Sequence, residues 1–108
     1  MGIKYSYRFA PLAEIDLDST LDYIEYELFN PKAAADLATK LNNKIDHIRD
    51  FPLSGRVVEN EYVIGQNLRQ IFIGNYIVFY KPDEETKTII IVRIVYGGQN
   101  IDEILKTI

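Results

Sequence analysis

After an alternating segment at Ile3–Phe9, the spacing of apolar residues divides the chain into a helical part and a β-rich part. In the first part, apolar residues recur at intervals of four, three and four, which is the stripe of an amphipathic helix: Leu17, Leu21, Ile24 and Leu28. From Leu68 onward, apolar residues alternate with polar ones or form short β-branched runs, which is typical of strands. This division predicts an α+β domain with its helices and strands in separate layers.

A second helix is predicted to follow the first after a very short link. Pro31 suits the first turn of a helix, and Asn30 before it is a favourable N-cap. Phe51-Pro52 ends this helix. So short a link indicates an antiparallel helical hairpin. The buried stripe of the second helix is predicted to be Ala34, Ala38, Leu41, Ile45 and Ile48.

The strands are expected in the remaining segments. Tyr76–Lys81 and Thr88–Tyr96 are apolar on both faces, which predicts central strands. The further predicted segments are strands at Ile3–Phe9 and Leu68–Ile73, a short strand at Arg56–Val58 and a terminal helix at Ile101–Ile108. The order β-α-α-β-β-β predicts one domain over residues 1–108, with the hairpin packed on a mostly antiparallel sheet. The strand residues expected to contact the hairpin are Ile77, Phe79, Ile90 and Ile94.

The composition excludes several classes of function. The chain has no cysteine, so disulfides, thiolate catalysis, zinc knuckles and iron–sulfur clusters are excluded, and one histidine, His47, disfavours a His-rich metal site. No apolar run approaches the roughly 20 residues that span a bilayer, and the N-terminus lacks the pattern of a signal peptide. We therefore expect a cytoplasmic protein without metal, cofactor or membrane partner. The net charge of −4 and the pI of about 4.9 argue against charge-driven nucleic-acid binding.

Two arginines, Arg69 and Arg93, lie inside predicted strands, where a guanidinium is costly unless it is paired. Each is expected to meet an anion, which is either a carboxylate of the same chain or a group of a ligand. Arg56 lies in the irregular segment after the second helix, where binding groups are common. Tyr96 ends the last strand directly before two glycines, so its hydroxyl is expected at an open edge or packed at the rim of the core.

Taken in order, the segments resemble the RelE/ParE superfamily of type II toxin–antitoxin systems over nearly the whole chain. The resemblance implies a helical hairpin on a curved antiparallel sheet, a growth-inhibiting activity and a cognate antitoxin encoded beside the toxin. The segments that carry it are Phe9–Leu17, Asp22–Ile24, Asn30–Ala34, Phe51-Pro52, Gly55-Arg56, Leu68–Gln70, Asn75–Tyr80 and Ile91–Gly97.

The resemblance implies one of two targets. One branch of the superfamily is a metal-independent endoribonuclease that cleaves messenger RNA in the ribosome, whereas the ParE branch inhibits DNA gyrase and is not an enzyme. RNA cleavage needs a proton acceptor, cationic charge at the phosphate and a donor for the leaving oxygen. The catalytic residues implied are Arg69 at the phosphate, Tyr96 at the end of the strand, and Glu59 or Glu61 as the base. The residues predicted to bind the target are Arg56, Arg93 and Gln99.

The chain departs from the family pattern after its last strand. Many relatives continue Gly-Arg-Arg-Asp, whereas here Gly97 is followed by Gly98-Gln99-Asn100, which removes two cations from the expected site. This loss and the acidic pI favour gyrase or another altered target over ribosomal RNA. The alternative is a catalytically inactive module that keeps the scaffold and binds protein. We expect no direct sequence-specific DNA binding by this chain alone.

Overall fold

The helical and β-rich layers are both present in the computed structural model, which describes residues 3–108. A π-helical turn, Tyr23–Glu27, directly continues the first helix, and a short 3₁₀ turn, Glu61–Val63, follows the second strand. The elements are β1 (Ser6–Phe9), α1 (Pro11–Asp22), α2 (Pro31–Asp50), β2 (Arg56–Val57), β3 (Arg69–Ile73), β4 (Tyr76–Asp83), β5 (Thr88–Tyr96) and α3 (Ile101–Leu105).

The five strands form one sheet in the order β1-β5-β4-β3-β2. The pairs β5–β4, β4–β3 and β3–β2 are antiparallel, and β1 joins the outer side of β5 in parallel. The prediction of a mostly antiparallel sheet is therefore confirmed. The two segments that are apolar on both faces, β4 and β5, are covered on both faces, as that pattern predicts.

The N-cap of α2 is as predicted, but two residues of the predicted helical stripes are exposed, and Leu17 and Leu21 are half-buried against the core. The Asn30 side-chain oxygen accepts a hydrogen bond from the Ala33 N–H at 3.0 Å, and Pro31 is the first residue of the helix. Leu37 takes the buried position that was predicted for Ala38, which is exposed. Leu28 is 54% exposed. Its N–H donates to the Tyr23 carbonyl five residues back, and this wider turn rotates Leu28 off the buried face.

The sheet carries a core on each face. The helical hairpin covers Val78, Tyr80 and Ile94 on one face. Ile77 and Phe79 lie on the other face with α3, so the prediction that they contact the hairpin is wrong. Side chains alternate along β4, and successive residues therefore belong to different cores. Ile90, also predicted to face the hairpin, is half-buried and belongs to neither core.

A β-bulge in β5 connects the sheet to α1. Tyr80 pairs with Ile91 and Phe79 pairs with Arg93, so Val92 is the extra residue. Pairing with β1 ends at Ile91, which leaves the outer edge of β5 open beyond that point. Asp16 of α1 fills this gap, because its Oδ2 accepts a hydrogen bond from the Ile94 N–H at 2.9 Å. The acidic side chain thus fixes the helix to the sheet at the bulge.

Leu41→Ala is expected to lower the free energy of unfolding by about 2–5 kcal/mol, because Leu41 is 4% exposed in the hairpin core and the change leaves a cavity. Leu28→Ala is the matched control, and its exposed position predicts a loss of about 0.5 kcal/mol or less. Urea unfolding of both variants measures the difference. Equal losses would mean that the buried face of the hairpin is wrongly assigned.

Candidate functional site

Arg69 lies on β3 and holds the loop that follows α2. Its Nη1 donates to the carbonyl oxygens of Leu53 at 2.9 Å and of Gly55 at 2.7 Å. Its Nε is buried and has no hydrogen-bond partner within residues 3–108. Of the alternatives for Arg69, the ion pair with a carboxylate of the same chain is absent from residues 3–108, and carbonyl oxygens take that place. Their partial negative charge offsets part of the cost of burying the guanidinium.

Tyr80 holds the same loop from the neighbouring strand. It lies directly opposite Arg69 in the β3–β4 ladder. Its hydroxyl donates to the Pro52 carbonyl and accepts from the Gly55 N–H, both at 2.8 Å. Burial raises the pKa of the Tyr80 phenol, so the hydroxyl keeps the proton that it donates. Arg69 and Tyr80 together make the Pro52–Gly55 loop a fixed part of the sheet surface.

Arg69→Ala is expected to lower the free energy of unfolding by about 1.5–3 kcal/mol, because it removes two hydrogen bonds from a charged donor to the loop. Arg56→Ala is the control on the adjacent strand, where the side chain is exposed and a change of about 0.5 kcal/mol or less is expected. Chemical denaturation of both proteins gives the comparison. A stability of Arg69→Ala equal to that of Arg56→Ala would exclude a structural role for the two bonds.

Arg93 is held by Asp16 and by Thr107, which follows α3. Its Nε and Nη2 donate to the two carboxylate oxygens of Asp16 at 2.7 and 2.9 Å, and its Nη1 donates to the Thr107 hydroxyl at 2.8 Å. The side chains of Arg93 and Asp16 are 13% and 14% exposed. The hydrogen bonds to Asp16 raise the pKa of Arg93 above its already high value. Of the two alternatives for Arg93, the internal ion pair is present, and a ligand would have to displace Asp16.

The three residues implied for RNA cleavage lie in different places. Arg69 on β3 pairs with Tyr80, and Tyr96 on β5 pairs with Tyr76, so the two residues lie on opposite sides of β4. They are also offset by four residues along it, which is about 13 Å at the rise of a strand. Glu59 lines a cleft of about 470 Å³ on the opposite face of the sheet, together with Arg56 and α3. Because Arg69 and Tyr96 face the hairpin side of the sheet and Glu59 lies on the other side, one phosphate could not contact all three groups.

Tyr96 and Gln99 do lie together. The Gln99 side-chain oxygen accepts a hydrogen bond from the Tyr96 N–H at 3.0 Å, which closes the turn after β5. A Cβ on Gly98 would lie 2.6 Å from Cε2 of Tyr96, so the glycine allows the ring to lie across the turn. Both residues line a cleft of about 650 Å³, which we call the tyrosine cleft; it is lined by Ser19, Thr20, Tyr23, Leu28, Tyr76, Tyr96 and Gln99.

Two aromatic walls of the tyrosine cleft were not recognised in the sequence. Tyr76 packs edge-to-face on Tyr96, with ring centroids 5.7 Å apart. Tyr23 reaches the cleft from the π-helical turn. The register of β4 against β5 brings Tyr76 to Tyr96, and no local pattern specifies it. The feature of the sequence that pointed to this part of the sheet was the pair of glycines directly after Tyr96.

The part of the chain that the structure describes contains no helix long and apolar enough to cross a membrane. Over the same residues, no three His, Asp or Glu side chains are grouped so that they could hold a metal ion. The polar groups of the tyrosine cleft are hydroxyls and an amide, which suit hydrogen bonding and packing rather than metal ligation.

Solved structures from toxin–antitoxin systems share the fold of this chain. The chromosomal ParDE system of P. aeruginosa contains a chain that superposes with a TM-score of 0.67 at 18% identity, covering 88% of this chain and 98% of that one. The RelBE2 complex of Mycobacterium tuberculosis gives 0.59 at 21% identity, covering 87% and 99%. The isolated E. coli RelE toxin gives 0.61 at 12% identity, covering 95% and 97%. Identities this low show the common fold.

The family is established by the sequence match. Residues 7–101 match the family described as the ParE toxin of the type II toxin–antitoxin system parDE. The match spans most of the chain, so this protein belongs to the ParE toxin family and is the toxin component of a type II system. No curated protein matches the sequence. The resemblance to the RelE/ParE superfamily is thereby confirmed.

Proposed function

We propose that this toxin arrests growth by binding DNA gyrase, not by cutting RNA, and that a cognate antitoxin neutralises it. The observation that carries the proposal is the position of Arg69. The ribonuclease hypothesis needs this guanidinium at a phosphate, but its Nη1 is held by the carbonyls of Leu53 and Gly55. Tyr96 lies two strands away and is offset by four residues, about 13 Å, along β4. General acid–base catalysis requires that each catalytic group lies within hydrogen-bond reach of the substrate atom to or from which it transfers a proton.

The charge of the chain supports the same proposal. A messenger in the ribosome is surrounded by RNA phosphates, which attract proteins that carry clusters of Lys and Arg. This chain has a net charge of −4, and the last strand is followed by Gly98 and Gln99 where many relatives have arginines. A protein target imposes no such requirement for positive charge. The ParE family and the ParDE neighbour also favour gyrase as the target and a ParD-like antitoxin as the partner.

Two assays on the purified protein test the proposal side by side. We expect inhibition of gyrase supercoiling and no cleavage of messenger RNA in a translating extract, measured by primer extension. Induction of the chain alone should arrest growth, and co-expression with the protein encoded by the neighbouring reading frame should restore it. Cleavage of the messenger with full gyrase activity would establish the ribonuclease hypothesis. Failure to arrest growth, with the antitoxin still bound, would favour the catalytically inactive module.

A double variant separates catalysis from binding. Glu59→Gln and Tyr96→Phe remove the groups that could transfer protons while keeping the size of each side chain. Glu59 is exposed and Tyr96 is half-exposed, so the fold should tolerate both changes. We expect the double variant to arrest growth as the unmodified protein does. If a stably folded double variant loses the arrest, proton transfer at these residues is part of the activity.

A further inference from the structure

The tyrosine cleft has an aromatic surface that remains open to solvent. Tyr23 and Tyr96 are 53% and 50% exposed, and Tyr76 is half-buried between them and the core. Burial raises the pKa of Tyr76, so its phenol is neutral and the cleft has no charge of its own on that side. The volume of about 650 Å³ is in the range of ordinary ligand sites. The cleft thus offers three ring surfaces to one occupant.

The helix that forms one wall of the cleft is strongly acidic. No Lys, Arg or His occurs from Phe9 to Asn30. Asp16 is neutralised by Arg93, whereas the other carboxylates of this segment have no ion-pair partner anywhere in residues 3–108. These side chains are Glu14, Asp18, Asp22, Glu25 and Glu27. This excess of negative charge on the wall helix and its continuation favours a cation over an anion as the occupant of the cleft.

Exposed apolar side chains also occur next to two lining residues, Tyr23 and Leu28, in the segment that follows α1. Phe29 follows Leu28, a lining residue, and is 87% exposed. Its φ of +50° is in the left-handed region, which is costly for a bulky residue. Tyr26 in the π-helical turn is also exposed. Exposed apolar side chains of this kind favour a partner segment that carries apolar residues beside its charged residue.

We propose that the tyrosine cleft binds an arginine side chain of a protein partner, with apolar residues of the same partner segment packing on Phe29 and Tyr26. A guanidinium stacks on tyrosine faces and is attracted to them as a cation. Its N–H groups have acceptors in the hydroxyls of Ser19 and Thr20 and in the second lone pair of the Gln99 amide oxygen. The aliphatic stem of arginine packs on Leu28.

The proposal goes beyond the choice of gyrase as the target, and its test uses no toxin target. The probe is N-acetyl-arginine amide, titrated into the isotope-labelled full chain and followed by NMR. We expect saturable shifts at Thr20, Tyr96 and Gln99. N-acetyl-citrulline amide has nearly the same shape without the charge, and we expect it to bind at least about tenfold more weakly, the effect of losing a charge-assisted contact. Equal binding of the two probes, or no saturable shift with arginine, would overturn the proposal.

Three variants show whether the aromatic ring is what recognises the cation. Tyr96→Phe keeps the ring and should bind the arginine probe as before. Tyr96→Leu keeps an apolar side chain without a ring and should weaken binding about two- to fivefold. Tyr62→Leu is the control, because Tyr62 lies outside the cleft and Lys106 already covers its ring at 5.0 Å. Equal affinities of Tyr96→Leu and Tyr62→Leu for the probe would contradict the role assigned to the tyrosine cleft.

Discussion

Asp16→Ala is expected to lower the free energy of unfolding by about 3 kcal/mol, the lower end of the range for removing one partner of a buried ion pair, because this pair keeps some contact with solvent. The change leaves the Arg93 guanidinium, 13% exposed, without its carboxylate. It also removes the acceptor of the Ile94 N–H at the bulge of β5. Urea unfolding measures the loss. Asp18→Ala is the matched control two residues along α1, where the carboxylate is exposed and a change within about 0.5 kcal/mol is expected.

A double variant tests whether the cost arises from the stranded charge. Replacing both partners by apolar residues of similar size, as in Asp16→Leu with Arg93→Met, should recover much of the stability lost in Asp16→Ala. Growth arrest should then follow the stability of the variants. If Asp16→Ala is as stable as Asp18→Ala, the pair does not hold α1 on the sheet. If Arg93→Met alone is stable but abolishes arrest, Arg93 acts on the target directly.

Gly55→Ala is expected to cost about 3 kcal/mol, at the upper end of the range for overpacking a core. A Cβ at this position would lie 2.6 Å from Cε1 of Tyr80 and 2.9 Å from Cζ, and that ring is fully buried. The ring cannot move without losing its hydrogen bonds to Pro52 and Gly55. Thermal unfolding of the variant should therefore show a clearly lowered midpoint.

Gly98→Ala is the matched control for this prediction. Its Cβ would also meet a tyrosine ring, that of Tyr96, at 2.6 Å. Tyr96 is half-exposed and its ring can turn outward, so a loss of under about 1 kcal/mol is expected. The comparison isolates the burial of the ring as the cause of the cost. Equal destabilisation by the two substitutions would show that contact with a ring, not its burial, determines the effect.

The local pattern of apolar residues was sufficient to predict most of the helices and strands. The period of the apolar residues located both helices and the strands that form the centre of the sheet. Burial of one face of a helix, or of both faces of a strand, requires apolar residues at regular positions along a short stretch of sequence. Asn30-Pro31 marked the start of α2 by capping chemistry that involves three neighbouring residues. The misplaced helix residues are Ala38, where the neighbouring Leu37 is buried instead, and Leu28, which the π-helical turn moves off the buried face.

The candidate site was less predictable, since its parts come together only through pairing and packing. Arg69 and Arg93 were both recognised as costly in a strand, but the partners that satisfy them are two loop carbonyls and Asp16, which is 77 residues distant from Arg93. Tyr96 and Gln99 were selected by position, and they do share a cleft. The register of β4 against β5 and the π-helical turn supply the other two rings, and neither follows from nearby residues.

The sequence by itself determined the α+β class, the order of the elements, the family to which the toxin belongs and the two arginines that need a partner. Tertiary structure decided which face of β4 meets the hairpin, how far Arg69 lies from Tyr96, and which side chains surround the tyrosine cleft. The physical reason is the distance along the chain over which each kind of interaction acts. Periodicity and capping act over a few residues, whereas strand register and side-chain pairing depend on contacts between distant parts of the chain.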